Sequence, residues 1–296
     1  MRPTDSSSPH ITQCDRAFLR LPHGLVHYRY LNPLIDAETS PTPCPLWMMH
    51  ASPSSSRSVE PLALALQRQH PGRRLLAPDT AGFGDSAPLP IDTPTLSDYG
   101  RHFFDMLDRL EIERCDLYGF HTGAHIAIEM ALLYPERIGR IVVDGLLWLN
   151  KTEREQYLTH YAPPLLPDGQ GTQIFQALQF IRDQAWFFPH FMRDAAHNLG
   201  ASALPPAVLH ELTIDLLKAA ETYHLAYHAV FRHDVGTRLP LLTQPLLLTA
   251  DRNDPTRSAL EPAAACAGSK TVYQQLTDAS QGLEPKARLI NDFLSS

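Results

Sequence analysis

Short apolar runs alternate with helical patterns along most of this chain, and no other feature constrains its fold as strongly. The runs "LWMMH", "RRLLAPD", "CDLYGF", "RIVVDG" and "PLLLTA" are each the length of a buried strand. Between them the apolar spacing becomes helical. Tyr99, Phe103, Met106 and Leu110 share one face, as do Ile126, Met130 and Leu133, and near the C-terminus Leu283, Ala287, Ile290 and Leu294. This alternation predicts βαβ units and therefore an α/β fold with a mostly parallel central sheet flanked by helices. Ahead of it, "RAFLRL" and "LVHYRYL" flank Pro22-His23-Gly24 and predict a hairpin.

Residues 151–236 break the alternation. Their pattern is helical, with Leu209, Leu212, Leu216, Ala220, Tyr223 and Tyr227 on one stripe, and they carry the aromatic cluster "AWFFPHF" around Pro189. A helical insertion here divides the core into residues 15–150 and 237–296. Residues 1–14 are polar and predict a flexible tail, and the proline-rich segment 36–45 predicts a surface loop.

Composition then narrows the class. A hydrophobic fraction of 44% supplies a core, and a net charge of −7 with no basic run argues against nucleic acid as a partner. The tail lacks the apolar stretch of a signal peptide, and no apolar run is long enough to span a bilayer. The four cysteines are scattered without a C-x-x-C pair, as expected of free thiols in a cytoplasmic protein. The expected partner is a small-molecule substrate, and the composition does not separate a monomer from a homodimer.

The stretch "LYGFHTGAHIAIEM" reads as a strand, a tight turn and a helix, with Gly119-Phe120-His121-Thr122-Gly123 at its centre. The pattern G-x-H-x-G resembles the G-x-S-x-G nucleophile elbow of the α/β-hydrolase superfamily, with histidine in the serine's place. Four further stretches carry the same resemblance in the same order. "PDTAGFGDS" resembles the loop after the fourth strand, and "HASP" the oxyanion loop. "YPERIGRIVVDG" resembles the stretch after the elbow helix, and "TADRNDP" the loop that often holds the catalytic acid. The resemblance covers roughly residues 15–295 and implies that 151–236 form a helical cap.

The resemblance also implies a triad in the chain order serine, acid, histidine. Here His121 replaces the serine, Asp254 matches the acid, and Asp144 lies near another place where relatives put theirs. No histidine follows His233. Gln281 is the expected occupant of the histidine slot, where it cannot shuttle a proton. The amides of Thr122 and Ser52 are implied as the oxyanion donors. An imidazole at a helix N-terminus is expected to titrate below its ordinary pKa of about 6.5, and so to serve as a neutral base or nucleophile.

His50, His125, Trp186, Phe187, Phe188 and Gln281 are the expected pocket residues. His121, His125, His50 and Glu129 also raise a metal site, but His121 sits on the turn rather than in the helix, so no metal or other cofactor is expected. Arg182 and Arg193 are placed to meet a substrate carboxylate, or are simply exposed. The function this implies is hydrolysis of a small apolar or aromatic ester, lactone or C–C bond. A cofactor-free lyase, decarboxylase or isomerase, and a ligand-binding protein without turnover, remain open beside it.

Overall fold

A computed structural model describes residues 12–34, 43–268 and 272–296. Most of the expected tail and of the proline-rich loop lies outside the described residues. Eight strands form one sheet in the order β1-β2-β4-β3-β5-β6-β7-β8. They are β1 (Asp15–Leu21), β2 (Gly24–Leu31), β3 (Leu46–Met49), β4 (Leu75–Pro78), β5 (Cys115–Phe120), β6 (Ile138–Asp144), β7 (Leu246–Asp251) and β8 (Val272–Thr277). The hairpin β1–β2 and the β2–β4 pairing are antiparallel, and every other pairing is parallel. The α/β expectation therefore holds. The apolar runs form the central strands because β3 and β4 are buried along their whole length. Strand β8, "VYQQLT", is too polar to be recognised from its sequence.

Helices cover both faces: α1 (Glu60–Gln69), α2 (Leu96–Arg109), α3 (Thr122–Leu133), α9 (Leu260–Cys266) and α10 (Glu284–Ser295). Helix α2 shows why the spacing was readable. Thr95 and Asp98 cap it reciprocally, and its apolar stripe buries Tyr99, Phe103 and Met106. The cap contributes about 1 kcal/mol and each buried side chain about 1.5–3 kcal/mol. Helix α3 is buried nearly all round, so its single-face reading was too narrow.

Between β6 and β7 run α4 (Lys151–His160), α5 (Thr172–Trp186), α6 (Pro206–Lys218), α7 (Tyr223–Arg232) and the short α8 (Val235–Arg238). The stripe from Leu209 to Tyr227 is two helices rather than one. The break falls before α7, where the Thr222 hydroxyl donates to the Gly82 carbonyl at 2.6 Å and ties the turn to the core. Among the described residues no helix is long and apolar enough to cross a membrane.

Candidate active site

Strand β5 delivers His121 to the end of the sheet in a backbone conformation that side chains rarely adopt, with φ 47° and ψ −104°. The turn is possible because its glycines have no Cβ. One on Gly119 would lie 2.3 Å from the Gly123 carbonyl oxygen, and one on Gly123 would lie 2.4 Å from that of Met49. The His121 N–H is held by the Asp144 carbonyl at 3.0 Å. The imidazole lines a cavity of about 200 Å³ between the sheet and the inserted helices, and its side chain is 33% exposed.

The ring Nε2 meets Asp254 Oδ2 at 2.7 Å. The other carboxylate oxygen accepts two bonds from Thr256, from its N–H at 2.7 Å and its hydroxyl at 2.6 Å. Burial pushes Asp254 upward, but His121 and Thr256 outweigh it and hold the carboxyl at about 2. An ionised carboxylate only accepts, so the neutral ring carries its hydrogen on Nε2. Nδ1 keeps a lone pair, and nothing among the described residues bonds to it. The expected downward shift of His121 is corrected. Burial does lower its pKa, but the charge and hydrogen bond of Asp254, with help from Asp144, raise it above the ordinary value. The helix end is a weaker influence than a carboxylate at 2.7 Å.

Of the two candidate acids, only Asp254 touches the ring. Asp144 is fully buried and accepts from the Tyr118 hydroxyl and from Lys286 Nζ, both at 2.7 Å. Gln281 does not fill the histidine slot. It is exposed in a short turn, and its amide reaches only Asp278, at 3.5 Å. Among the described residues it is the elbow residue His121 itself that reaches Asp254. Gly145 makes that possible: a Cβ there would lie 2.4 Å from His121 Cδ2 and 3.1 Å from Asp254 Oδ2.

The two oxyanion donors are not equivalent. Thr122 lines the cavity as the first residue of α3, and its N–H has no acceptor among the described residues. The Ser52 N–H does not point freely into the cavity, because it donates to the Thr122 hydroxyl oxygen at 3.2 Å. His50 is a brace rather than a pocket residue. Its Nε2 accepts from the Thr80 N–H at 2.9 Å, so its Nδ1–H donates to the Ala51 carbonyl at 2.9 Å. Burial lowers its pKa and keeps it neutral.

His125 lines the cavity floor and is tied into a buried network that the sequence did not reveal. Its Nε2 accepts from the Leu147 N–H at 3.2 Å. Its Nδ1–H therefore donates to His233 Nδ1 at 2.8 Å. The Nε2–H of His233 in turn donates to Glu129 at 2.9 Å, which also takes Arg238 and Ser97. Burial pushes Glu129 up, yet these donors hold it at about 2. Burial, with His233 and His121 nearby, holds His125 well below its ordinary value. His121 and His125 thus turn to different partners, which argues against a shared metal. His125→Ala strands the Leu147 N–H and the His233 nitrogen in the interior. It should cost about 3 kcal/mol in urea unfolding, more than it changes any turnover. A cost under about 1 kcal/mol would show that the network is dispensable.

The remaining wall is aromatic, with Tyr157, Tyr161, Phe188, Tyr227 and Phe231 on the cavity. Trp186 and Phe187 are not on it. Trp186 lies under the Arg182 guanidinium, and Phe187 pairs with Asn198. Arg182 and Arg193 both bind the buried Asp183, at 3.1 and 2.8 Å, and neither lines the cavity. Among the described residues no lysine or arginine lines the cavity.

Residues 45–198 match a family model described as the alpha/beta hydrolase fold. A 2-hydroxymuconate semialdehyde hydrolase from a Pseudomonas species is 36% identical over 106 residues, 34% of this chain and 36% of that protein. The match thus spans about a third of that relative. A 3-oxoadipate enol-lactonase from Acinetobacter baylyi is 24% identical over 64% of both chains. Among solved structures, an epoxide hydrolase from Mycobacterium thermoresistibile aligns with TM-score 0.71 at 17% identity, over 96% of this chain and 98% of the other. A hydrolase from Pseudomonas aeruginosa aligns with TM-score 0.68 at 22% identity, over 95% and 99%.

Proposed function

We propose, because the chain belongs to the α/β-hydrolase fold family, that it is a hydrolase in which a His121–Asp254 pair replaces the serine triad. The observation that carries this is the 2.7 Å contact of Nε2 with Asp254, which leaves Nδ1 as a free base on the cavity. Nδ1 takes a proton from water as the water oxygen forms a bond to a substrate carbonyl carbon. The carbonyl π pair moves onto its oxygen. When that pair returns, the C–O or C–C bond to the leaving group breaks, and the leaving group takes the proton back from His121. Water is consumed and no cofactor is needed. Attack by His121 itself is less well supported, since His125, the other imidazole on the cavity, has both nitrogens engaged and does not manage the proton.

The substrate is a small, uncharged, aromatic or apolar ester, lactone or ketone. An aromatic wall without lysine or arginine favours that class over an anionic one. Helices α4–α7 serve as the cap that sets its size. The semialdehyde hydrolase and enol-lactonase relatives, by their names, act on carbonyl compounds, which supports the reaction class.

A panel of aryl esters, enol lactones and aryl 1,3-diketones tests this. Turnover should survive both a fluorophosphonate probe and a chelator. Stoichiometric labelling of a pocket serine, or tight binding across the panel without turnover, would overturn the proposal.

A further inference from the structure

We infer that the Thr122 hydroxyl is the group that meets the negative oxygen, with the Ser52 amide acting behind it. This rests on the hydrolytic reading only in supposing that such an oxygen forms. Thr122 Oγ1 already accepts the Ser52 N–H at 3.2 Å. Its own hydrogen cannot go back to that donor, and no other acceptor among the described residues takes it. Thr122 lines the cavity, so its O–H is free to turn toward an oxygen bound there. A hydroxyl that accepts one hydrogen bond becomes a stronger donor for the next.

Ser52 cannot easily be redirected to act alone. Its carbonyl accepts the Tyr227 hydroxyl at 2.8 Å, and that hydroxyl accepts from Gln184 Nε2 at 3.0 Å. Swinging the Ser52 N–H into the cavity would break the bond to Thr122 and strain the bond to Tyr227. The free Thr122 N–H then supplies the second donor from the same residue. Both donors stand beside the His121 imidazole, next in the chain, so oxygen and base are addressed together.

The reading separates cleanly from a purely structural threonine. Thr122→Val keeps the shape and removes the hydroxyl, which leaves the Ser52 N–H unblocked, while Thr122→Ser keeps the hydroxyl. On phenyl acetate, Thr122→Val should lose about 10²–10³-fold in kcat with KM nearly unchanged, and Thr122→Ser should stay close to wild type. Equal or higher kcat in Thr122→Val overturns the inference, because the Ser52 amide would then be serving directly.

A second measurement needs no turnover. Bound 4-nitrophenolate reports hydrogen bonds to its oxygen through its absorption band. Thr122→Val should bind it at least tenfold more weakly and move the band to longer wavelength, and Thr122→Ser should match wild type. An unchanged band and affinity in Thr122→Val, or no binding to the wild type, overturns the assignment. The expected band shift in a protein that hydrolyses nothing would instead remove the hydrolytic reading and leave Thr122 in place. Thermal unfolding of both variants checks that they are folded.

Discussion

On the proposed mechanism His121→Ala should lower kcat/KM on a carbonyl substrate by about 10²–10⁴-fold, with little change in KM. Among the described residues the imidazole is the only group on the cavity that combines a free ring nitrogen with a carboxylate partner on the other side. His125, the other cavity imidazole, has both nitrogens committed. The variant remains folded, since the ring faces a cavity and Asp254 keeps both bonds from Thr256. A steady-state assay with matched circular dichroism checks both halves. Full turnover in the variant would mean that the chemistry rests elsewhere.

Asp254→Asn should cost as much, for a reason that lies in the tautomer. The amide oxygen is claimed by the two Thr256 donors, so the NH₂ group faces His121 Nε2. Two donors cannot face each other, and the ring must move its hydrogen to Nδ1. The lone pair then points at the amide instead of the substrate, and a loss of about 10²–10⁴-fold in kcat is expected. The pH profile moves as well. On the proposed mechanism the wild type requires neutral His121, whose pKa is raised, so the rate should climb with pH through a group titrating above about 6.5. Without the carboxylate that limb shifts to lower pH. A wild-type limb below about 6.5 would show that Asp254 does not hold the ring.

Stability follows the same linkage. The raised His121 contributes fully below about pH 6.5 and loses its contribution as pH rises through the folded value. The depressed Asp254 contributes above about pH 3.9 and loses it as pH falls towards 2. The stability gap between wild type and His121→Ala in urea is therefore widest between about pH 4 and 6.5.

The fold was legible because buried parallel strands are written as unbroken apolar runs and the elbow as two glycines around one residue. The polar edge strand β8 carried neither signal. That residue 121 is histidine and that His233 is the last histidine given were legible as residue identity alone. Their partners in the fold were not. Asp254 and Asp144 look alike in the sequence, and only the turn after β7 and the bare surface of Gly145 bring one of them to the ring. Gln281 was placed by position along the chain, whereas the turn at its end leaves it in solvent. His233 was noted only as the last histidine. Its bond to His125 spans 108 residues and depends on how α7 lands on α3. Ser52 and Thr122 were read as parallel donors. Backbone amides are invisible in a sequence, and so is a threonine hydroxyl that intercepts one of them.

The direct reach of His121 to Asp254 also sets what a serine at position 121 would meet. Placing serine at residue 121 would remove the imidazole and leave the buried Asp254 carboxylate without its ring partner. Supplying a histidine at Gln281 would not mend this, because that side chain lies outside the cavity. A base for such a serine would have to come from a position that faces both the cavity and Asp254.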